Sequence, residues 1–123
     1  MEYRDTIDMQ TIEVVKKFSP KPYGRYQKPD DPDDRSGERF RKEFLAPELR
    51  KNDKVHVVLD GYNRYGRSFL DEAFGGLIRY EGFTKQDLDE KLIYTHSLVE
   101  SIVRLIDERI EAAEAAARKG VES

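Results

Sequence analysis

The sequence predicts one α/β domain spanning residues 1–123, a small β-sheet packed by helices. Val55-His-Val-Val-Leu59 is almost wholly apolar, as a strand covered on both faces would be. Directly after the turn Asp60–Arg67, Leu70, Ala73, Phe74, Leu77 and Ile78 recur at helical spacing and form a full amphipathic stripe. Around these two segments, strand-like and helix-like patterns alternate along the chain in the order strand, helix, strand, helix, helix, strand, helix.

Thr11–Val15 reads as the first strand, being β-branched and followed by a proline-rich segment. From Ser19 to Arg35, Pro20, Pro22, Pro29 and Pro32 mix with Asp30, Asp31, Asp33 and Asp34, which predicts a flexible loop over 19–35 with an extended piece at Tyr23–Tyr26. Ser36-Gly-Glu-Arg39 starts a helix whose apolar face carries Phe40, Phe44 and Leu45, and Pro47 breaks or restarts it. A shorter helix runs from Thr84 to Lys91, and Leu92–Thr95 reads as the third strand. Ser97 and Glu100 have capping-box spacing and predict the start of a last helix that buries Leu98, Ile102, Val103, Leu105, Ile106 and Ile110. Past Ile110 only alanines and charges continue, so a helical tail over 111–123 is expected to project or to pair with another chain.

The chain has no cysteine, which removes thiol catalysis, thiolate zinc sites and disulfide frameworks and suits a reducing, cytoplasmic setting. No apolar run approaches a membrane span, and Met1–Gln10 lacks the apolar core of a secretory signal. With 22 basic and 25 acidic residues, the net charge of −3 gives no field that would recruit nucleic acid or anionic lipid.

The richest segment is Asp60–Leu77. Ser68 stands at an expected helix N-cap with Asp71 three residues on, while Asp71 and Glu72 complement the positive helix end. Gly75 and Gly76 each cost a helix about 0.5–1 kcal/mol relative to alanine. Close approach of the sheet, of a neighbouring helix or of a partner's backbone would offset that cost. A phosphate on Ser68 would add about −1.5 to −2 charges at a helix N-terminus, with Arg64 and Arg67 near in sequence to pair with it and Asp71 and Glu72 opposing. Without a phosphate, Ser68 serves simply as a cap.

Five blocks, Phe18-Ser-Pro, Gly24-Arg-Tyr26, Ser36-Gly-Glu-Arg-Phe-Arg41, Val57-Val-Leu-Asp-Gly61 and Ser68-Phe-Leu-Asp-Glu-Ala-Phe-Gly-Gly-Leu77, together resemble the STAS-like domains of unknown function. These are relatives of the sulfate-transporter and anti-sigma-factor-antagonist domain. The resemblance implies a small mixed β-sheet packed by helices and a regulatory, non-catalytic module. Its implied partner is a protein, a histidine-kinase-like ATPase, that phosphorylates a serine in the loop after the strand. Ser68 is the serine of the matching turn, so the phosphoacceptor role falls to it. The antagonist pattern places an acidic residue and a serine pair before a glycine, whereas Arg67-Ser68-Phe69 stands here. The implied contact surface comprises Arg25, Tyr26, Asn63, Arg64, Tyr65, Arg67, Ser68, Asp71 and Glu72.

Other patterns carry less. Tyr23, Arg25, Tyr26, Tyr62, Arg64, Tyr65 and Arg67 interleave as a single-strand nucleic-acid surface would, but the acidic balance disfavours it. The Asp30–Asp34 run lacks the glycine and terminal glutamate of a calcium loop. His96 and Glu100 have no third metal ligand, and His56 alternates within a strand. Ser68 lacks the flanking glycines of a nucleophile elbow, and no phosphate-cradling loop occurs. Neither catalysis, a metal nor a cofactor is therefore expected. The remaining alternative to a binding module is an oligomer-forming protein that pairs through its last helix.

Overall fold

The computed structural model describes residues 8–122. Most of the stretch read as lacking a secretory signal, and the last residue of the expected tail, lie outside them. In chain order the elements are β1 (Met9–Glu13), α1 (Val14–Lys17), α2 (37–51), β2 (Lys54–Val58), α3 (67–81), α4 (Lys85–Lys91), β3 (Leu92–Thr95) and α5 (Glu100–Glu122). The α/β class stands.

The first strand begins and ends two residues earlier than its β-branched run suggests. Val14 and Val15 turn into α1, where the Val14 carbonyl accepts from both Phe18 and Ser19. Strand order is β1-β2-β3, and both pairings among the described residues are parallel where the resemblance implied a mixed sheet. Two right-handed crossovers stepping in one direction put the connecting helices on a single face. Ile12, Val55, Val57 and Leu92 are buried on that face. Among the described residues the other face stays open, contrary to the expectation that β2 is covered on both sides. There Thr11, His56 and Ile93 lie side by side in register, with Thr11 and Ile93 exposed and His56 half-buried.

Helices α2 and α3 are each continuous, and each is wound as a π-helix in its middle, over Phe40–Leu45 and Asp71–Gly75. Pro47 does not break α2, because it stands in the first turn of the regular α-helical stretch that follows, where its missing N–H costs nothing. Helix α3 is central, and every residue from Phe69 to Leu77 is buried. Gly37 lets α2 approach it closely, since a Cβ there would overlap the Phe69 carbonyl. Phe18, Phe40, Phe44 and Phe69 stack into one aromatic cluster between α2 and the start of α3. Helix α4 has the capping box formed by Thr84 and Asp87. Helix α5 packs along the middle of α3 and buries Ile102, Ile106 and Ile110. It stays docked one turn further than expected, through buried Ala113 and through Glu114, which accepts from the Lys85 amide. Its side chains from Ala115 to Gly120 are exposed.

The 19–35 segment is tied down by its own polar groups. Asp34 is buried and accepts from the amides of Lys28 and Ser36. Gly24 and Arg25 carbonyls accept from Gly37 and Glu38, which straps Tyr23–Tyr26 across the start of α2.

Candidate functional site

The block Ser68–Leu77, the most specific in the sequence, divides into an exposed beginning and a buried remainder. The structure caps α3 with the extended backbone of Gly66, leaving Ser68 inside the first turn and exposed. This corrects the expected Ser68 cap. The chain already takes helical geometry at Arg67, and no side chain accepts from the first amides. Arg64, Arg67 and Asn63 are also exposed, and neither arginine forms an ion pair among the described residues.

Asp71 and Glu72 do not share that exposure. Both are buried, Glu72 to 2% of its accessible surface, so they do not belong to an accessible contact surface. Arg41 Nη1 donates to the Glu72 carboxylate at 2.7 Å and to its carbonyl at 2.8 Å, while its Nε reaches Glu81 at 3.0 Å. Arg25 donates to Asp71 at 2.7 Å and to Glu72 at 3.3 Å, bolting the 19–35 strap onto α3. Arg79 forks onto Asp71 through its carboxylate and carbonyl, and Arg109 from α5 completes the ring at 3.6 Å. Burial pushes the Asp71 carboxyl up, but the Arg25 hydrogen bond and the charge of Arg79 outweigh it and hold the group below the usual carboxylate range. Glu81 is held low in the same way by Arg50 and Arg41, again against burial.

The two glycines serve this network. A Cβ on Gly76 would overlap Arg41 Nη1, and one on Gly75 would stand 3.2 Å from the Arg109 carbonyl and 3.1 Å from the Asp71 carboxylate. Of the close approaches the sequence left open, the structure selects neighbouring helices.

Tyr65 also leaves the surface. It is 6% exposed, packed between Tyr62 and Phe69, and its hydroxyl is buried without a hydrogen-bond partner. Burial pushes its phenol far up. With Tyr65 in the core and Arg25 held by carboxylates, the Tyr/Arg stripe that suggested nucleic acid is not a continuous surface. Tyr23 and Tyr26 alone remain widely exposed on the strap, Tyr26 at 63%.

The turn after β2 is positioned from both sides. Gly61 takes φ +99°, and a Cβ there would press on Val15 at 2.9 Å, so the turn sits tightly against α1. From the other side, Asp60 accepts from the Ser97 amide at 3.1 Å, and His96 Nε2 donates to the Tyr62 carbonyl at 2.9 Å. The loops leaving β2 and β3 are thus sewn into one surface at the carboxyl ends of the parallel strands, where α/β sheets present their functional groups. Sequence reasoning missed the second of these loops. It read Ser97 as a cap and Leu98 as buried, whereas α5 begins only at Glu100 and Leu98 is exposed.

Among the described residues no group of acids, histidines or cysteines could hold a metal, and no helix is long and apolar enough to cross a membrane. A cleft of about 710 Å3 opens between Phe18–Lys21 and Asp31–Arg35, away from the Asn63–Ser68 turn. Its lining mixes Lys21, Arg35 and Arg39 with Asp31, Asp33 and Asp34.

The family model described as a STAS-like domain of unknown function matches residues 36–101, which takes in α2, β2, α3, α4 and β3. No curated protein and no solved structure matches the chain.

Proposed function

The chain belongs to the family of STAS-like domains of unknown function, and from that membership we propose that it is a non-catalytic regulatory module that docks a protein partner through the turn Asn63–Ser68. The observation that carries this reading is the exposed group Arg64, Arg67 and Ser68 at a helix start with no side-chain cap. Buried Tyr65 and Phe69 fix that group from below. Two arginines that form no ion pair among the described residues, on a turn fixed from below, are a preorganised contact, the kind that loses little freedom on binding. Tyr26, and Arg25 through its Asp71 anchor, border the same end of α3.

The partner class is a histidine-kinase-like ATPase, and Ser68 is its phosphoacceptor. Transfer of the γ-phosphoryl group from ATP to Ser68 Oγ, leaving ADP, would place a dianion among free helix amides, Arg64 and Arg67. The acids that would oppose it, Asp71 and Glu72, are already compensated by Arg25, Arg41, Arg79 and Arg109. Such a phosphate would rearrange the contact surface without disturbing the core.

The test is recovery of partners from a lysate of the source organism, with Arg67→Glu and Ser68→Glu as variants and mass spectrometry as readout. The wild-type chain should retain an ATPase of that fold and both variants should lose it at unchanged melting midpoint. Equal recovery by both variants overturns the assigned surface.

A further inference from the structure

Leu98 is 80% exposed, the most exposed large apolar side chain among the described residues. It does not hang on a slack loop. His96 Nδ1 accepts from the amides of both Leu98 and Val99 at 3.1 Å, and Asp60 accepts from Ser97. Three consecutive amides of the turn are therefore satisfied by side chains, and His96 is itself fixed through Nε2–H to the Tyr62 carbonyl. With Nε2 donating and Nδ1 accepting, the imidazole ring is held in one orientation. A mostly buried histidine thus holds in place a turn whose exposed apolar group is a leucine.

An isolated exposed leucine needs no explanation. One on a turn this tightly tied, joined by two hydrogen bonds to the loop that carries Arg64 and Arg67, has the composition of an interface anchor: a rigid apolar knob on a turn sewn to a loop whose two arginines form no ion pair among the described residues. We propose that Leu98 is the apolar anchor of the docking surface and that His96 is its positioning residue. The partner it fits presents an apolar pocket with carboxylates at one side, the chemistry complementary to a leucine on a turn tied to the loop that bears Arg64 and Arg67. This rests on the docking reading above and extends that surface from the β2 turn to the β3 turn.

The proposal is tested by photocrosslinking in cells of the source organism, with Leu98→p-benzoylphenylalanine as the probe and the same residue at Ile93 and Tyr80 as exposed controls. Position 98 should give one discrete protein adduct, and the control positions should not give it. Arg64→Glu with Arg67→Glu should weaken the adduct about thirtyfold, the scale of a hot-spot loss. His96→Ala should weaken it too, while His96→Asn, which keeps an acceptor near the Nδ1 position, should restore most of it at equal thermal stability. A missing adduct at 98, an adduct that survives the charge reversal, or equal labelling from Tyr80 overturns the proposal. If Arg67→Glu abolishes partner recovery while position 98 crosslinks nothing, the docking surface stands without its anchor. If the adduct forms and depends on charge but contains no ATPase, the anchor stands and the assigned partner class falls.

Discussion

Replacing Gly76 with alanine sets helix propensity against the buried ion network. Propensity alone predicts a gain of about 0.5–1 kcal/mol. The new Cβ, however, would overlap Arg41 Nη1 and stand 3.0 Å from its Cδ. Arg41 has nowhere to go, because it is pinned at 2.7 Å and 2.8 Å by Glu72 and at 3.0 Å by Glu81. Displacing it breaks a buried pair, which costs about 3–5 kcal/mol when one partner is lost. The expected net loss is therefore about 2–4 kcal/mol, roughly a 10 °C fall in melting midpoint for a domain of this size. Urea and thermal unfolding followed by circular dichroism measure it. In an Arg41→Ala background the clashing atoms are gone, so the same Gly76→Ala change should be neutral or stabilising by about 0.5–1 kcal/mol. Stabilisation of the wild-type chain by Gly76→Ala, or strict additivity with Arg41→Ala, would refute the reasoning.

Tyr65→Phe should raise the unfolding free energy by about 1 kcal/mol, since it removes a buried hydroxyl that has no partner; a loss in a denaturant titration would show an unseen hydrogen bond. Arg25→Ala should free the strap, and chymotryptic cleavage after the exposed Tyr26 should accelerate about tenfold, which corresponds to roughly 1.4 kcal/mol for the lost bonds to Asp71 and Glu72. Asp71 and Glu81 have depressed folded-state pKa values, so their stabilisation is present above the ordinary carboxylate range and is lost as pH falls through the folded values. Stability should therefore decline below about pH 4. Asp71→Asn should be less stable at neutral pH and should flatten that decline, as read from urea midpoints across pH.

The α/β order was legible because α3 and α5 repeat their apolar residues at helical spacing and β2 is an unbroken apolar run. The burial of Asp71 and Glu72 was not legible. Their partners Arg25, Arg41, Arg79 and Arg109 come from the strap and three helices, and no local period joins positions so far apart. The π winding over Asp71–Gly75 also spoils a strict 3.6-residue reading of which side chains face inward. The paired glycines were recognised as close-approach positions, but that they clear a path for Arg41 and for the α5 backbone needed coordinates. Ser68 and Leu98 were misplaced for a common reason. Each helix starts where its backbone first turns, at Arg67 and Glu100, and not at the serine with the favourable spacing. The open sheet face follows from crossover direction, which an apolar run cannot encode.

The most direct measurement takes the Arg64→Glu/Arg67→Glu chain and records two quantities on one preparation, its melting midpoint and its recovery of the ATPase retained by the wild type. Both arginines are exposed and outside the ion network, so the midpoint should not move while partner recovery disappears. Full recovery of the partner by the double variant would contradict a docking surface at the Asn63–Ser68 turn, and no ATPase retained even by the wild-type chain would contradict the assigned partner class.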